Sequence, residues 1–303
     1  MDTRQLEYFV AVAEELNFTR AAARVFAAQS TVSAGVAALE RELGARLFER
    51  DAHGVTLTST GEAALAEART GLQSIERLRD LAAGDGALRG VVRVGIFTNL
   101  TSIDLPGIMG EFRRRHPGVD LRLGPSPSGS TGLADDVRQG RLDVAFYGLP
   151  DPVAGAIALP LVEVPFVAVL PAGHPLARRP TVPLAELAAE RWVDAREGFG
   201  NRVTLDRALA AAGLAREIAT EVSDLGEIPR FVAAGLGVGA LPELTVNATE
   251  GVVVRPLSPG VDWRLSVIAH PRPGAAARAL LELIAERFGR PIPAARPPRL
   301  EGP

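Results

Sequence analysis

The feature that most restricts how this chain can fold is a change of hydrophobic period across "AAGDGALRG", residues 82–90. Before this segment apolar residues recur every three or four positions, the spacing of helices that pack through one face. After it, short β-branched runs alternate with helical patterns. One core cannot serve both textures, and a chain of 303 residues suffices for about two domains. The glycines of the segment therefore mark a hinge at a domain boundary.

In the first part, residues 5–16 place Leu6, Phe9, Val10, Ala13 and Leu16 on one side of a helix. Asn17 and Thr19 offer capping oxygens before "RAAARVF", a short Ala-rich helix. A third helix begins near Gln29, with Val32, Val36, Leu39 and Leu43 in one stripe and Ser30, Ala34, Ala37 and Arg41 facing the opposite way. A solvated helix face ordinarily carries long charged side chains, so a small, hydroxylated outer face allows something large to approach the backbone. Three short helices, the last two tightly joined, describe a helix-turn-helix unit. "LFERDAHGVTLTSTG" adds a turn at His53-Gly54 and the strand "VTLT", which is a wing. From Thr60, Leu65, Ala68, Leu72, Ile75, Leu78 and Ala82 form a narrow seam on one long helix, which favours self-association over packing on its own domain.

Beyond Gly90, "VVRVGIF", "LPGIMGEFRRRH", "VDLRLG", "LADDVRQG" and "LDVAFYG" alternate between strand and helix, the pattern of a mostly parallel sheet with helices on its faces. A second series predicts strands near 191–195, 216–222, 237–241 and 252–257, with helices over 200–213 and 224–235. "WRLSVIAH" gives another strand and "AARALLELIAERF" a final amphipathic helix. These elements make two α/β lobes with a cleft between them, the chain crossing near 163 and returning near 268. The Pro-rich tail "PIPAARPPRLEGP" reads as disordered.

Several chemistries are set aside. The chain has no cysteine, so disulfides, thiolate metal sites and thiol redox sensing are excluded. His53, His116, His174 and His270 lack any metal-ligand spacing, and there is no GxSxG elbow, P-loop or kinase set, so no metal, cofactor or catalytic residue is expected. Gly235, Gly237 and Gly239 follow a helix and precede a strand, the reverse of the dinucleotide fingerprint, which makes Gly235 a helix stop and the others close-packing positions. Arg113, Arg114, Arg115 and His116 read as a solvated helix end that complements the dipole. Glu14 and Glu15 interrupt the N-terminal apolar stretch, which is neither signal peptide nor anchor, and no later run suits a bilayer. A cytoplasmic protein without a membrane partner is expected. A net charge of −3 provides no global attraction for a polyanion, so any nucleic-acid contact must rest on local geometry. Finally, "FTNLTSI" brings Thr98, Asn99, Thr101 and Ser102 to a strand's carboxyl end, where open α/β sheets bind ligands, and "GPSPSGST" adds Ser126, Ser128 and Ser130. Each of these residues alone could be an ordinary capping group; together they favour a small ligand.

The segment "RQLEYFVAVAEELNFTRAAARVFAAQSTVSAGVAALERELGARLFER", followed by "GVTLTSTGEA", resembles the DNA-binding part of LysR-type transcriptional regulators. Ala22-Ala23, Gln29, Ser33, Leu39-Glu40, Leu43-Gly44, Leu47-Phe48, Arg50, Leu57-Thr58 and Gly61 fall at that family's spacing. The later part is similar to the family's effector-binding domain, by architecture more than by motif. The resemblance implies an α/β protein with an N-terminal all-α winged helix-turn-helix and a two-lobed effector domain like type 2 periplasmic binding proteins. The expected boundaries are 1–59 for the DNA-binding domain, 60–89 for the linker helix and hinge, 90–290 for the effector domain and 291–303 for the tail. Lobe 1 takes about 90–163 and 268–290, lobe 2 about 164–267. A dimer or tetramer is implied that binds double-stranded promoter DNA and changes its bending when a small molecule enters the cleft. RNA polymerase is a further partner the resemblance allows.

With the helix from Gln29 in the major groove, Gln29 suits adenine, Ser30, Thr31 and Ser33 suit bases or phosphates, and the methyls of Ala34 and Ala37 suit thymine. Arg4, Thr19, Arg20, Arg50 and His53 complete the expected DNA-facing set. Gln29 and Ser33 could equally be helix caps, and His53 a plain turn residue. Ala28, Ala34, Gly35 and Ala37 stand where the family often has hydroxyl, polar or basic side chains, so direct readout should be sparse. Over residues 1–60, six arginines against eight carboxylates leave −2, which predicts weak binding by a single head and reliance on pairing through the 60–83 helix. The resemblance places effector contacts on both serine- and threonine-rich loops and, on the facing lobe, near Ala195, Arg196, Phe199, Asn201 and Arg202, where Arg196 or Arg202 would suit a carboxylate. Two other readings stand beside this one. In the first, residues 91–290 form a catalytic cleft, for which no acid, base or nucleophile constellation exists. In the second, the chain is a solute-binding protein, which the missing export signal opposes.

Overall fold

The computed structural model describes residues 1–51, 54–82, 88–97, 100, 103–126 and 128–293. His53, Thr98, Asn99, Thr101 and Ser102 of the expected sites, and the tail from 294 onward, lie outside the described residues. The chain divides into two compact units, Met1–Ala87 with Arg138–Arg141, and Leu88–Val137 with Leu142–Pro303.

The first unit is built from α1 (Thr3–Glu15), α2 (Phe18–Arg24), α3 (Gln29–Leu43), the hairpin strands β1 (Phe48–Asp51) and β2 (Gly54–Leu57), and α4 (Ser59–Ala82). Asp2 and Gln5 close a capping box at the start of α1, and Asn17 Oδ1 accepts from the Thr19 and Arg20 amides at the start of α2. Phe9, Val12, Phe18, Val32, Val36, Leu39, Leu47 and Phe48 form the core, with the Phe9 and Phe18 rings edge-on to Phe48 at 5.5 and 5.8 Å. Glu40 accepts from the Leu47 and Phe48 amides and so ties α3 to the wing.

Three sequence expectations change here. Leu16 and Leu43, read as inward, are each about half exposed, because each lies where its helix ends in a left-handed turn, Leu16 itself at φ +46° and the C-cap Gly44 at φ +66°. The seam on α4 is divided. Leu65 and Ala68 are buried in the unit's own core, Leu72 and Ile75 are half-buried, and Leu78 is exposed. The first part of the stripe thus packs on its own domain, because α4 starts directly behind the wing and lies against α1.

The second unit contains β3 (Gly90–Ile96), α5 (Leu105–Arg115), β4 (Val119–Pro125), α6 (Gly129–Arg138), β5 (Val144–Tyr147), β6 (Ile157–Pro171), β7 (Val182–Pro183), α7 (Leu184–Ala188), β8 (Arg191–Ala195), α8 (Gly200–Ala211), β9 (Glu217–Val222), α9 (Ile228–Ala233), β10 (Gly239–Pro242), β11 (Val252–Ser258), β12 (Asp262–Ala269) and α10 (Ala275–Arg287). β3 runs parallel to β4 and β5, but β12 is antiparallel to β5 and β6, and β10 and β11 are antiparallel to β6. The sheet is therefore mixed where a mostly parallel one is expected. The reason is β6, a 15-residue strand whose first part pairs with β12 and whose second part pairs with β10 and β11. One continuous strand thus carries the chain from lobe to lobe, and β12 brings it back. Its apolar faces, with Leu159, Phe166, Ala168 and Leu170, are buried in the core that Phe112, Phe146, Leu280 and Ile284 also fill.

Gly235 ends the helical stretch at φ +81°, and a Cβ on Gly237 would lie 2.3 Å from the Arg191 carbonyl oxygen, so these glycines serve turning and close packing. At the end of α5, Arg115 pairs with Glu111 and Glu286 while Arg113 and Arg114 are exposed.

Candidate nucleic-acid interface and effector pocket

Helix α3 presents Gln29, Ser30, Thr31, Ala34 and Ala37 to solvent and Ser33 half-buried, while Val32, Val36 and Leu39 are fully covered. Its N-cap is Ala28, whose side chain makes no capping bond, so neither Gln29 nor Ser33 is spent as the N-cap. Gly35 faces inward: a Cβ there would lie 2.5 Å from the Tyr8 ring, so the missing side chain lets α1 and α3 approach.

The expected basic contacts are mostly engaged within the unit. Arg4 pairs with Glu7 at 3.2 Å and Arg20 pairs with Glu15 at 3.4 Å and also donates to its carbonyl; Arg24, outside the expected set, pairs with Glu14 and Glu15. The Arg50 guanidinium lies over the Phe18 ring, 3.9 Å from its centroid. Thr19 is exposed on the first turn of α2. Glu14 also pairs with Arg69 of α4 at 2.9 Å; partial burial opposes its ionisation, but Arg69 and Arg24 prevail and hold the carboxyl below its ordinary value.

One residue escaped the sequence reading. Phe26, in the turn just before α3, is 99 % exposed and has a backbone φ of +53°. A bulky L-residue is disfavoured in that left-handed region, and an uncovered ring is a second unfavourable feature at the same position. The available signal was an aromatic residue outside any periodic slot.

In the second unit, Phe199 and Asn201 line a small cavity, open to solvent, with Phe97, Leu100, Gly200, Ser223, Leu225, Pro242, Thr245 and Trp263. Of these, the sequence reading had singled out only Phe199 and Asn201. Ser126 is half-buried and Ser128 exposed at the end of β4, and neither lines the cavity. Ser130 is fully buried, its Oγ accepting from the Gly148 amide at 3.2 Å, and so fastens α6 to the end of β5. Arg196 is exposed and outside the lining. Arg202 donates to the Ala195 carbonyl at 3.0 Å and pairs with Glu221 and Asp206.

Next to Arg202 lies a buried ion-pair group. Arg216, on the rim of β9, pairs with Asp194 at 2.6 Å and Asp206 at 2.8 Å, and its guanidinium lies over Trp192. Burial pushes the Asp194 carboxyl up to about 6 against the opposing pull of Arg216. The two lobes meet beside the cavity, where Thr131 donates through its amide and Oγ1 to the Gly198 carbonyl at 3.4 and 3.3 Å.

Residues 3–62 match the model for bacterial regulatory helix-turn-helix proteins of the lysR family, and residues 85–289 match the LysR substrate binding domain. The chain belongs to the LysR family of transcriptional regulators. As a member of that family it is a DNA-binding regulator with an effector-binding domain, and an effector modulates its activity. Among its relatives, a probable hydrogen peroxide-inducible genes activator of Mycobacterium avium is 35 % identical over 246 residues, covering 80 % of this chain and 78 % of that protein. The regulator ShiR of Corynebacterium glutamicum is 37 % identical over 243 residues, 78 % of this chain and 81 % of that protein. A full-length OxyR variant from Pseudomonas aeruginosa, in which a cysteine is replaced by aspartate, is similar in structure with a TM-score of 0.76, 30 % identity and coverage of 100 % and 99 % of the two chains. Among the described residues of this LysR-family chain, no group of His, Asp or Glu could hold a metal ion and no helix is long and apolar enough to cross a membrane.

Proposed function

We propose that α3 enters the major groove of promoter DNA, with Gln29, Ser30, Thr31, Ser33 and Ala34 toward the bases and Arg4, Thr19, Arg20, Arg50 and His53 toward the backbone. The observation that carries this reading is the side-chain-poor outer face of α3 set over a fully apolar inner face. It supports close approach of the helix backbone to base edges. Dimers or tetramers form through the later part of α4, where Leu78 is exposed, and the paired heads compensate for a unit in which Arg4, Arg20 and Arg24 are held by its own carboxylates. RNA polymerase contact belongs to the same reading, as does a cytoplasmic location beside the DNA.

The effector occupies the cavity lined by Phe199, Asn201 and Trp263. A carboxylate effector draws little support, since Arg202 is held by Glu221 and Asp206 and Arg196 lies outside the lining. Some relatives are named for hydrogen peroxide; with no cysteine, this chain offers no thiol for such an oxidant. We therefore assign it non-covalent effector binding and no catalysis.

Footprinting of the purified full chain on the DNA upstream of its own gene tests the first half of this reading. Protection of paired sites at low salt, lost when Ser30 and Ala34 are both replaced by Glu, is the expected result; no protection would remove the assignment of α3.

A further inference from the structure

The effector cavity differs in its polar groups from the carboxylate site expected from the sequence. Among the described residues that line it, none is charged. Two of them carry a buried N–H with no acceptor: Nδ2 of Asn201, a residue 3 % exposed, and Nε1 of Trp263, a residue 5 % exposed. A buried donor left unpaired is costly, and two of the same sense on one cavity form an arrangement that a ligand can complete. The backbone adds to this polarity. Helix α8 begins at the cavity wall, its N-cap is Phe199, and no side-chain oxygen satisfies the first-turn amides. Every one of these groups asks for an acceptor on the ligand. Thr245 Oγ1 already donates to the Pro242 carbonyl, so toward a ligand it can only accept.

Charge then decides between kinds of acceptor. The adjoining arginines, Arg202 and Arg216, are engaged by Asp194, Asp206 and Glu221, so two cations meet three carboxylates. A carboxylate moved into this slot would lose its hydration without gaining a cation. An ammonium group would meet the Asn201 and Trp263 donors and find only neutral hydroxyl and amide oxygens, that of Thr245 among them, with no carboxylate in the described lining. The body of the ligand is set by the walls, where Phe97 and Trp263 have ring centroids 6.4 Å apart and Phe199 is buried alongside.

Resting on the reading of this cavity as the effector site, we propose that it selects an uncharged, planar molecule bearing carbonyl acceptors, such as an aryl amide, lactone or quinone, over a carboxylate or amine of the same shape. Asn201 and Trp263 are its specificity-determining donors.

Calorimetric titration of the full chain with benzamide, benzoate and benzylamine tests this directly. Benzamide should bind at least tenfold more tightly than either charged probe. Trp263→Phe keeps the ring and removes the N–H, and should weaken benzamide about tenfold; Asn201→Leu supplies the same comparison if the first variant fails to fold. Benzoate or benzylamine binding as tightly as benzamide, or benzamide failing to bind, overturns the ligand class. Thr245→Trp, which fills the slot, separates this from the wider reading: probe binding that it abolishes keeps the cavity as the site, whereas probe binding that it leaves unchanged removes the cavity assignment as well.

Discussion

A methyl group placed on Gly200 would lie 2.5 Å from the carbonyl oxygen of Gly148 and 2.8 Å from Ser130 Oγ. The start of α8 thus rests directly on the backbone at the end of β5, at a place where only glycine fits. The same Gly148 donates its amide to Ser130 Oγ, so strand end, α6 and α8 meet at one point beside the cavity lined by Phe199 and Trp263.

Gly200→Ala should push these elements apart. Overpacking of this kind costs about 1–3 kcal/mol, and the variant is expected to melt several degrees lower while still binding promoter DNA. Hydrogen exchange at the Gly148 amide should accelerate, because its acceptor moves away. Unchanged exchange there would show that the contact gives way without consequence.

Phe26 provides a prediction in which stability and binding move in opposite directions. Asparagine tolerates positive φ better than phenylalanine, so Phe26→Asn should stabilise the N-terminal unit by roughly 0.5–1 kcal/mol. If the exposed ring meets the duplex beside α3, the same change weakens promoter binding several-fold in a fluorescence anisotropy titration. Greater stability with unaltered affinity would show that the ring has no part in binding.

The carboxylates around the helix-turn-helix restrain its arginines. Glu15 holds Arg20 and Arg24, both exposed. Glu15→Gln should release Arg20 toward phosphates while Arg24 stays paired with Glu14, strengthen binding at low salt, and steepen the dependence of log affinity on log salt by about 1. An unchanged slope in a salt titration would place Arg20 away from the DNA.

Acid sensitivity should trace to Glu14. Its folded carboxyl is held below its ordinary value by Arg69 and Arg24 despite partial burial. The stability it contributes is therefore present above its unfolded pKa and is lost as pH falls through the lower folded one. Thermal melts of wild type and Glu14→Gln should differ most near pH 7 and converge as the pH drops below about 4. A difference independent of pH would mean that the carboxylate charge is not what joins α1 to α4.

The local elements of this protein were legible in its sequence because each is encoded by neighbouring residues. The Val32–Val36–Leu39 stripe, the hairpin wing, the long helix after Thr60 and the succession of strands and helices beyond Gly90 follow from periods and turn residues alone, and the absence of cysteine removed thiol chemistry outright. Even here, helix ends misled: Leu16 and Leu43 keep the period, but each stays about half exposed where the chain turns away. What tertiary structure decided was the cavity lined by Phe199, Asn201 and Trp263. Phe97, Asn201, Thr245 and Trp263 come from separate elements that no periodic pattern connects, and the long pairing of β6 with β12 joins the lobes that hold them. It also decided charge, since whether Arg202 can meet a ligand depends on Glu221 and Asp206, which fold against it from β9 and its own helix. A side chain's period is a property of the chain next to it, whereas its availability depends on what distant segments place beside it.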